Sequence, residues 1–473
     1  MRISVIGCGY LGAVHSACMA SLGHDVVGID VDRDKVEALS NALPPFFEPR
    51  LPELLETQTA AGRLTYSTDI SATAAARVHF IAVGTPQQFN QHAADLSYVH
   101  QAVDALVPYL APGDLVVGKS TVPVGTARQI AATISRRCPE ATLVWNPEFL
   151  REGFAVQDTL IPNRLVYGLP DDDRVGWSDQ AGHAARAGQT AQAGTSANGT
   201  RENAQSMLDA VYQHALANGC PRLVMDYETA ELVKVSANAF LATKISFINA
   251  MSEVCEAAGA DVSMLSDAIG YDDRIGRKFL NAGLGFGGGC LPKDIRAFMA
   301  RADELGAEQA LTFLREVDSI NMRRRARMVD LTRQACGGSL LGKRVAVLGL
   351  AFKPDSDDVR DSPALNVAAQ LQLQGAAVTA TDPEATANAA QRFPELNYAE
   401  TTAEAVEDAD VVLVLTEWQQ YRSLDPAWLS GQVARTEVVD GRNCLDGEAW
   451  RAAGWTYRAL GRPELPAAVP APA

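Results

Sequence analysis

The sequence predicts an α/β protein made of two parallel-sheet units with one long helix between them. Three observations carry that expectation. Early in the chain, short apolar strands alternate with helical stretches, at residues 3–6, 26–29, 78–83, 115–119 and 143–145, with a further strand at 165–167. The run 227–258 contains no Pro or Gly, and its apolar residues Leu232, Val235, Phe240, Leu241, Ile245, Ile248 and Val254 recur at helical spacing. At ~1.5 Å per residue such a helix spans more than ~40 Å, long enough to join two domains. Beyond it, strands at 345–348, 378–381, 411–415 and 437–439 again alternate with helical stretches.

The length of 473 residues fits two or three domains. With 47% hydrophobic and 21% charged residues, the composition is that of a soluble globular enzyme. A net charge of −16 argues against nucleic acid or an anionic membrane as the main partner. A strand follows Met1 almost at once, leaving no room for a secretory leader, and no apolar run reaches the ~18 residues of a membrane span. The eight cysteines, at 8, 18, 138, 220, 255, 290, 336 and 444, form no CxxC pair. They read as reduced thiols in a cytoplasmic protein, with no disulfide frame and no metal site.

The remaining stretches are placed by composition. Residues 307–334 read as a second helix ending at Gly337-Gly338. Residues 178–200 contain no Leu, Ile, Val, Phe or Met and are predicted to be a disordered insertion. The tail from Arg462 holds Pro463, Pro466, Pro470 and Pro472 and is predicted to be disordered.

The first strand runs into Gly7-Cys-Gly9-Tyr10-Leu11-Gly12 and then a helix. Glycines at this spacing allow a tight turn and close approach of a pyrophosphate to a helix N-terminus. The next strand ends in Asp30, 18 residues after Gly12. A carboxylate there accepts hydrogen bonds from both ribose hydroxyls of NAD and repels the extra phosphate of NADP.

Three polar pairs stand four residues apart and are each expected on one helix face: Glu148 and Glu152, Lys234 and Asn238, Cys290 and Asp294. For the glutamates an exposed helix face is the plain alternative, and for Lys234 a side chain reaching out to water. Cys290 is harder to dismiss. Gly287, Gly288 and Gly289 precede it and Pro292 suits a first helical turn. A thiol at a helix N-terminus with Lys293 close by is expected to have a lowered pKa and good exposure. The three glycines point to a backbone that a ligand approaches closely.

With these motifs in hand, the sequence resembles the UDP-glucose/GDP-mannose dehydrogenase family, most closely its UDP-glucose members. Further motifs carry the likeness: Val83-Gly84-Thr85-Pro86, Ser120-Thr121-Val122-Pro123-Val124-Gly125-Thr126, Asn146-Pro147-Glu148-Phe149-Leu150-Arg151-Glu152-Gly153, Arg274 to Gly283, Gly285 to Asp294, and Gly349-Leu350-Ala351-Phe352-Lys353-Pro354. The resemblance implies two Rossmann-like parallel-sheet domains joined by a long central helix. It implies an NAD-binding domain at 1–202, a central helical domain with the nucleophile and the dimer contact at 203–335, and a UDP-binding domain at 336–461, before the tail at 462–473. It places the nucleophile on Cys290, with Lys234, Asn238 and Asp294 as partners, and puts Thr121 and Glu152 at the nicotinamide and the catalytic water. Glu148, Phe149, Leu150, Arg151 and Glu152 line the sugar, together with Lys234 and Asn238. Phe279, Leu280, Asn281, Ala282, Gly283 and Gly287 form the loop around the nucleotide sugar, Lys353 binds substrate, and Arg274 reaches substrate from the partner subunit of a homodimer. Cofactor contacts fall on the Gly7–Gly12 loop, Asp30, Lys35, Thr85, Thr121, Glu152, Lys293 and Arg360. Gly289 stands where the family more often has Ser, and Ala250 where many members have Glu.

Turning a primary alcohol into a carboxylate takes two hydride transfers. A thiolate at Cys290 traps the intermediate aldehyde as a thiohemiacetal; the second oxidation gives a thioester, which water hydrolyses. Lys234 and Asn238 are placed to hold the developing oxyanion, Asp294 with a water to take protons, and Glu152 to position the hydrolytic water. UDP-glucose is preferred as substrate over GDP-mannose and the UDP-N-acetylhexosamines by the 274–294 segment. Two other readings compete. A one-step hydroxyacid dehydrogenase needs neither Cys290 nor the block after residue 340. An inactive NAD-binding protein has no need to keep every expected polar group.

Overall fold

The computed structural model describes residues 1–170 and 196–468. The chain divides into two compact units, Met1–Ser236 and Ala237–Ala473. The division falls inside the helix Tyr227–Ala258, which has the bounds that its unbroken, Pro-free and Gly-free run predicts.

The first unit is an eight-stranded sheet with order β3-β2-β1-β4-β5-β6-β7-β8. Its strands are β1 (Arg2–Ile6), β2 (Asp25–Ile29), β3 (Leu64–Ser67), β4 (Val78–Ile81), β5 (Leu115–Gly118), β6 (Thr142–Trp145), β7 (Leu165–Leu169) and β8 (Arg222–Asp226). Neighbours pair in parallel except β6 and β7, where Trp145 faces Gly168 antiparallel. Strands β4, β5 and β7 are buried along their whole length. Helices covering both faces of a parallel sheet produce such continuous apolar runs. Strands β3 and β8, which the pattern reading missed, are partly exposed and lie at the two edges of the sheet.

The second unit carries a six-stranded sheet, order β11-β10-β9-β12-β13-β14. Its strands are β9 (Arg344–Leu348), β10 (Ala377–Thr381), β11 (Asn397–Tyr398), β12 (Val411–Val414), β13 (Glu437–Asp440) and β14 (Thr456–Ala459). All pairs are parallel, and the order repeats that of the first six strands of the other sheet. This is the doubly wound arrangement of dinucleotide-binding folds. Between the central helix and β9 lie the helices Val262–Gly270, Leu291–Glu304 and Thr312–Ala335, the last preceded by a 3-10 turn at Glu308–Leu311.

Two composition-based expectations change. Of the predicted insertion, residues 178–195 lie outside the described residues, while Ser196 opens the helix Ser196–Val211. The tail is ordered over residues 462–468. Leu465 and Tyr457 exchange two backbone hydrogen bonds of 2.9 Å, and Arg462 pairs with Asp261 at 3.0 Å. One bridge to a sheet strand and one ion pair hold a segment whose prolines exclude it from regular structure; residues 469–473 lie outside the described residues. Among the described residues, no helix is long and apolar enough to cross a membrane.

Candidate active site

In the first unit, β1 leads into Gly7 at φ +91°, where a Cβ would meet Val83 at 2.7 Å. A Cβ at Gly12 would sit 1.8 Å from the carbonyl oxygen of Gly7, whereas one at Gly9 would meet nothing within 4 Å. Two glycines therefore permit the turn and its packing, and the third presents bare backbone at the start of the helix Tyr10–Ser21. Leu11 is half-buried against the core of this unit. The Asp30 carboxylate accepts from the Cys8 N–H at 2.8 Å and the Asp32 N–H at 3.1 Å, and pairs with Lys35 Nζ at 3.1 Å. The glycine loop is thus tied to the acidic strand end. A bare helix N-terminus beside a fixed carboxylate fits the pyrophosphate and ribose of a dinucleotide. On a neighbouring loop, Thr85 donates to the Thr121 carbonyl at 2.7 Å.

Glu48, a residue that sequence reasoning missed, is buried and accepts from the Gly153 N–H at 2.7 Å, the Val156 N–H at 3.2 Å and the Tyr10 hydroxyl. It ties the start of the helix after the glycine loop to the segment that carries Glu148 and Glu152. Burial and the Glu48 carboxylate push the Tyr10 hydroxyl far above its ordinary pKa.

That segment is a loop, which corrects the expectation of a helix face for Glu148 and Glu152; the nearby helix is Ala155–Leu160. Pro147 biases the preceding residue away from helix. The Glu148 side chain folds back, accepting from the Phe149 N–H at 2.7 Å and the Leu150 N–H at 2.9 Å. Its other oxygen pairs with Lys119 at 3.0 Å. Arg151 is spent on a two-bond pair with Asp158, at 2.8 and 2.7 Å, and Glu152 is half-buried. The Phe149 ring lies under two cations, Arg164 at 3.9 Å and Lys234 at 5.6 Å. Lys234 is only 9% exposed. This unit therefore gathers Glu148, Phe149 and Lys234.

The second unit gathers Asn238, Cys290, Lys293 and Asp294. Cys290 caps the helix Leu291–Glu304, with Pro292 in its first turn, and its carbonyl accepts from the Asp294 N–H at 2.9 Å. Cys290 and Asp294 thus share one helical turn, as their spacing predicts. Asp294 is buried; one carboxylate oxygen accepts from Asn238 Nδ2 at 2.6 Å and the other from Lys293 Nζ at 2.7 Å. Of the eight cysteines, Cys290 alone is exposed. Burial pushes the thiols of Cys8, Cys18, Cys220, Cys255, Cys336 and Cys444 up, away from thiolate.

The glycine run before Cys290 has a structural reason within the chain itself. A Cβ at Gly287 would meet the Asp361 carbonyl at 2.4 Å, one at Gly288 the Phe352 ring at 2.8 Å, and one at Gly289 the Arg360 guanidinium at 2.4 Å. The glycines seat the 352–361 segment of the same chain, and the Gly288 N–H donates to the Arg360 carbonyl at 2.9 Å. Through this contact Lys353, whose ammonium lies 5.5 Å over the Phe352 ring, and Arg360, paired with Asp358 at 2.7 Å, come to the loop before Cys290.

In the 274–283 loop, Phe279 adopts the left-handed region at φ +67°. Leu280 and Ala282 are buried, Asn281 accepts from Arg277 at 2.7 Å, and the Gly283 N–H donates to Asn249 at 2.9 Å. A Cβ at Gly283 would sit 2.8 Å from the Gly441 carbonyl. Arg274 is 88% exposed along its side chain and pairs only locally, with Asp272 at 2.6 Å.

Comparison with known proteins agrees with this arrangement. Residues 1–180 match the NAD binding domain of the UDP-glucose/GDP-mannose dehydrogenase family, residues 228–323 its central domain and residues 346–447 its UDP binding domain. The chain is 38% identical to the UDP-glucose 6-dehydrogenase of Rhizobium meliloti (strain 1021), over 98% of this chain and 100% of the relative. It is also 38% identical to the UDP-glucose 6-dehydrogenase TuaD of Bacillus subtilis (strain 168), over 98% and 94%. A solved UDP-glucose dehydrogenase from the archaeon Pyrobaculum islandicum superposes with a TM-score of 0.83 at 36% identity, covering 98% of both chains. The chain belongs to the UDP-glucose/GDP-mannose dehydrogenase family.

Proposed function

We propose that this enzyme oxidises the C6 hydroxymethyl group of UDP-glucose to the carboxylate of UDP-glucuronate, using two NAD per sugar, in the cytoplasm. The observation that carries the reading is the one exposed thiol, Cys290, capping a helix whose first turn holds Asp294, to which Asn238 of the central helix donates.

NAD, when bound, would supply the hydride acceptor for both oxidations at C6. Gly7, Gly9, Tyr10, Leu11, Gly12, Asp30 and Lys35 hold the cofactor in the domain at 1–202, with Thr85, Thr121, Glu152, Lys293 and Arg360 as further contacts. The Cys290 thiolate adds to the C6 aldehyde, forming a C–S bond and leaving an oxyanion at C6. Lys234 and Asn238 hold that oxyanion. Loss of hydride from the thiohemiacetal gives a thioester on Cys290. Water positioned by Glu152 cleaves the C–S bond and returns the thiol. Asp294 keeps Asn238 aimed and takes protons through water. Glu148, Phe149, Leu150, Arg151, Phe279, Leu280, Asn281, Ala282, Gly283, Gly287 and Lys353 surround the nucleotide sugar, whose UDP is held by the domain at 336–461.

The active form in this reading is a homodimer. Phe240, Phe247 and Val254 recur every seven residues along the central helix and are 67%, 49% and 57% exposed. An apolar seam of that period is a helix-packing surface. Arg274, 88% exposed along its side chain, is available to a partner's substrate.

The test is hydride stoichiometry. Two NADH per UDP-glucose consumed, with no free aldehyde, is expected. One NADH per sugar, or a faster reaction with GDP-mannose or a UDP-N-acetylhexosamine, overturns the reading.

A further inference from the structure

Beneath the Glu148 loop lies an ion pair that the chemistry above does not use. Lys119 follows β5 and is 4% exposed, an unusual place for a lysine. Its ammonium donates to Asn146 Oδ1 at 3.1 Å and to the Tyr212 hydroxyl at 3.2 Å, and pairs with Glu148 at 3.0 Å. Tyr212 in turn donates to the same Asn146 oxygen at 2.7 Å, and Asn146 Nδ2 donates to the Val166 carbonyl at 2.9 Å. Three acceptors around one ammonium satisfy its three donors.

Glu148 is matched on its side. Two backbone N–H groups take one oxygen and Lys119 the other. Its charge is therefore fixed in place and its loop is clamped by its own side chain. Other charged or titratable groups stand around the pair, Cys18, Asp158 and Arg164 among them. Lys234 acts on Glu148 from the central helix and draws its carboxyl toward ionisation. His15, buried on the helix Tyr10–Ser21, is held neutral by burial and by Lys119. Tyr212 packs beside Lys119, with the ammonium 5.7 Å from its ring. A cavity of about 70 Å³ is lined by His15, Lys119, Asn146, Glu148, Arg164 and Tyr212, among others.

We propose that Lys119 is a positioning residue for the reaction: it holds Glu148 as a fixed carboxylate and thereby sets the conformation of the 146–152 loop that meets the sugar. Removing the ammonium leaves a carboxylate that is only 17% exposed without its paired cation, so Glu148 takes up a proton and lets go of the loop. Glu148's assignment to the sugar rests on the function proposed above; the pairing itself does not.

The test has two arms, both on the full-length enzyme. Denaturation against pH is followed for Lys119→Met, Glu148→Gln and the double variant. The single Lys119→Met change is expected to destabilise the protein most, and the double variant to regain much of that loss, because no orphaned charge remains. Additive effects of the two changes overturn the pairing, whatever the substrate. Steady-state turnover of UDP-glucose is the second arm. Lys119→Met is expected to lower kcat about a hundredfold near neutral pH. Its acid limb should move to higher pH, since raising the pH re-ionises the orphaned Glu148. Lys119→Arg should restore part of kcat and the wild-type limb. A Lys119→Met enzyme with the wild-type pH profile overturns the positioning role. If wild-type protein fails to oxidise UDP-glucose, the substrate assignment falls while the first arm still decides the pair.

Discussion

Asp30 and Asp382 stand at the same place in two sheets of the same strand order, each just past the strand next to the first, yet their carboxylates do different work. Asp382 is filled by its own chain: it accepts from the N–H groups of Leu350, Ala351, Glu384 and Ala385 and from the Trp418 indole. Asp30 accepts from only two backbone N–H groups and pairs with the partly exposed Lys35. The loop after β1 enters a helix directly at Tyr10, whereas the loop after β9 wanders until Pro363. In the second sheet the strand-end carboxylate thus serves its own loops.

A cofactor prediction follows. Replacing Asp30 with Ala removes the acceptor for the ribose hydroxyls, and hydrogen bonds to charged groups carry a factor of roughly 10–100 in binding. KM for NAD is expected to rise by about that factor, with KM for the sugar little changed. Discrimination against NADP should fall at the same time. Undiminished preference for NAD in the Asp30→Ala enzyme, measured as the ratio of kcat/KM values, would show that this carboxylate does not read the ribose.

The Asn238–Asp294 bond leads to a second prediction. Asn238→Ala removes the donor on Asp294 and a group assigned to the oxyanion. Loss of one such donor costs on the order of 10²–10³ in kcat. Binding of NAD, followed by fluorescence quenching, should survive. A fall confined to KM for the sugar would mean that Asn238 binds substrate without stabilising charge.

Acid stability follows from Glu148. Burial raises its carboxyl, but Lys119, the Phe149 N–H and Lys234 outweigh that and hold it below the ordinary carboxylate value. A depressed folded-state pKa adds stability above the unfolded value of ~4.3, and that stability is lost as pH falls through the folded value. Lys119 works in the opposite sense: its pKa is raised by Glu148 and Tyr212 against burial, so its contribution fades only as pH rises well into the alkaline range. Unfolding free energy of wild type minus Glu148→Gln should therefore shrink as the solution is made more acid than pH ~4. A difference independent of pH would contradict the pair.

How much of this was legible depended on whether the cause lay close in sequence. The central helix was read with its observed bounds because nothing in 227–258 interrupts it. The buried strands were found because a parallel sheet makes them continuously apolar. Strand β14 alternates half-buried and buried residues and β11 has only two, so neither rose above loop composition. Cys290 announced its helix cap through Pro292 and Asp294, all within one turn. That the glycine run also accommodates Phe352, Arg360 and Asp361 was not legible, because those groups lie far along the chain. Glu148 and Glu152 misled because four-residue spacing takes no account of Pro147 or of a side chain that bonds its own backbone. Lys119 was invisible for a related reason: a lysine at a strand end looks solvated until Asn146, Glu148 and Tyr212 are seen around it.

The exposed seam on the central helix gives a prediction about assembly. Phe247→Glu places a charge in the middle of the apolar row, where association would bury it. Light scattering should find a dimer for the wild type and a monomer for the variant, with turnover reduced in the monomer if Arg274 serves the partner's site. A wild-type monomer at micromolar concentration, or a variant that stays dimeric, moves the interface elsewhere.

The most direct test of the chemistry is Cys290→Ser. A serine hydroxyl has about the reach of the thiol but is a far weaker acid than a thiol of pKa ~8.5 or lower. Capture of the aldehyde as a hemiacetal is still expected, followed by the second oxidation to an oxygen ester. Such an ester is attacked by water less readily than a thioester, because oxygen donates better into the carbonyl. The variant should therefore stall with the glucuronyl group attached at position 290, after about one turnover per active site. Cys290→Ala should form no adduct, and both variants should bind NAD, since Gly7, Gly9, Gly12 and Asp30 are untouched and the first unit carries its own core. Intact-mass measurement after incubation with UDP-glucose and NAD separates these cases. Full steady-state turnover by Cys290→Ala would reduce the exposed cysteine to a helix cap and remove the thioester from the reaction.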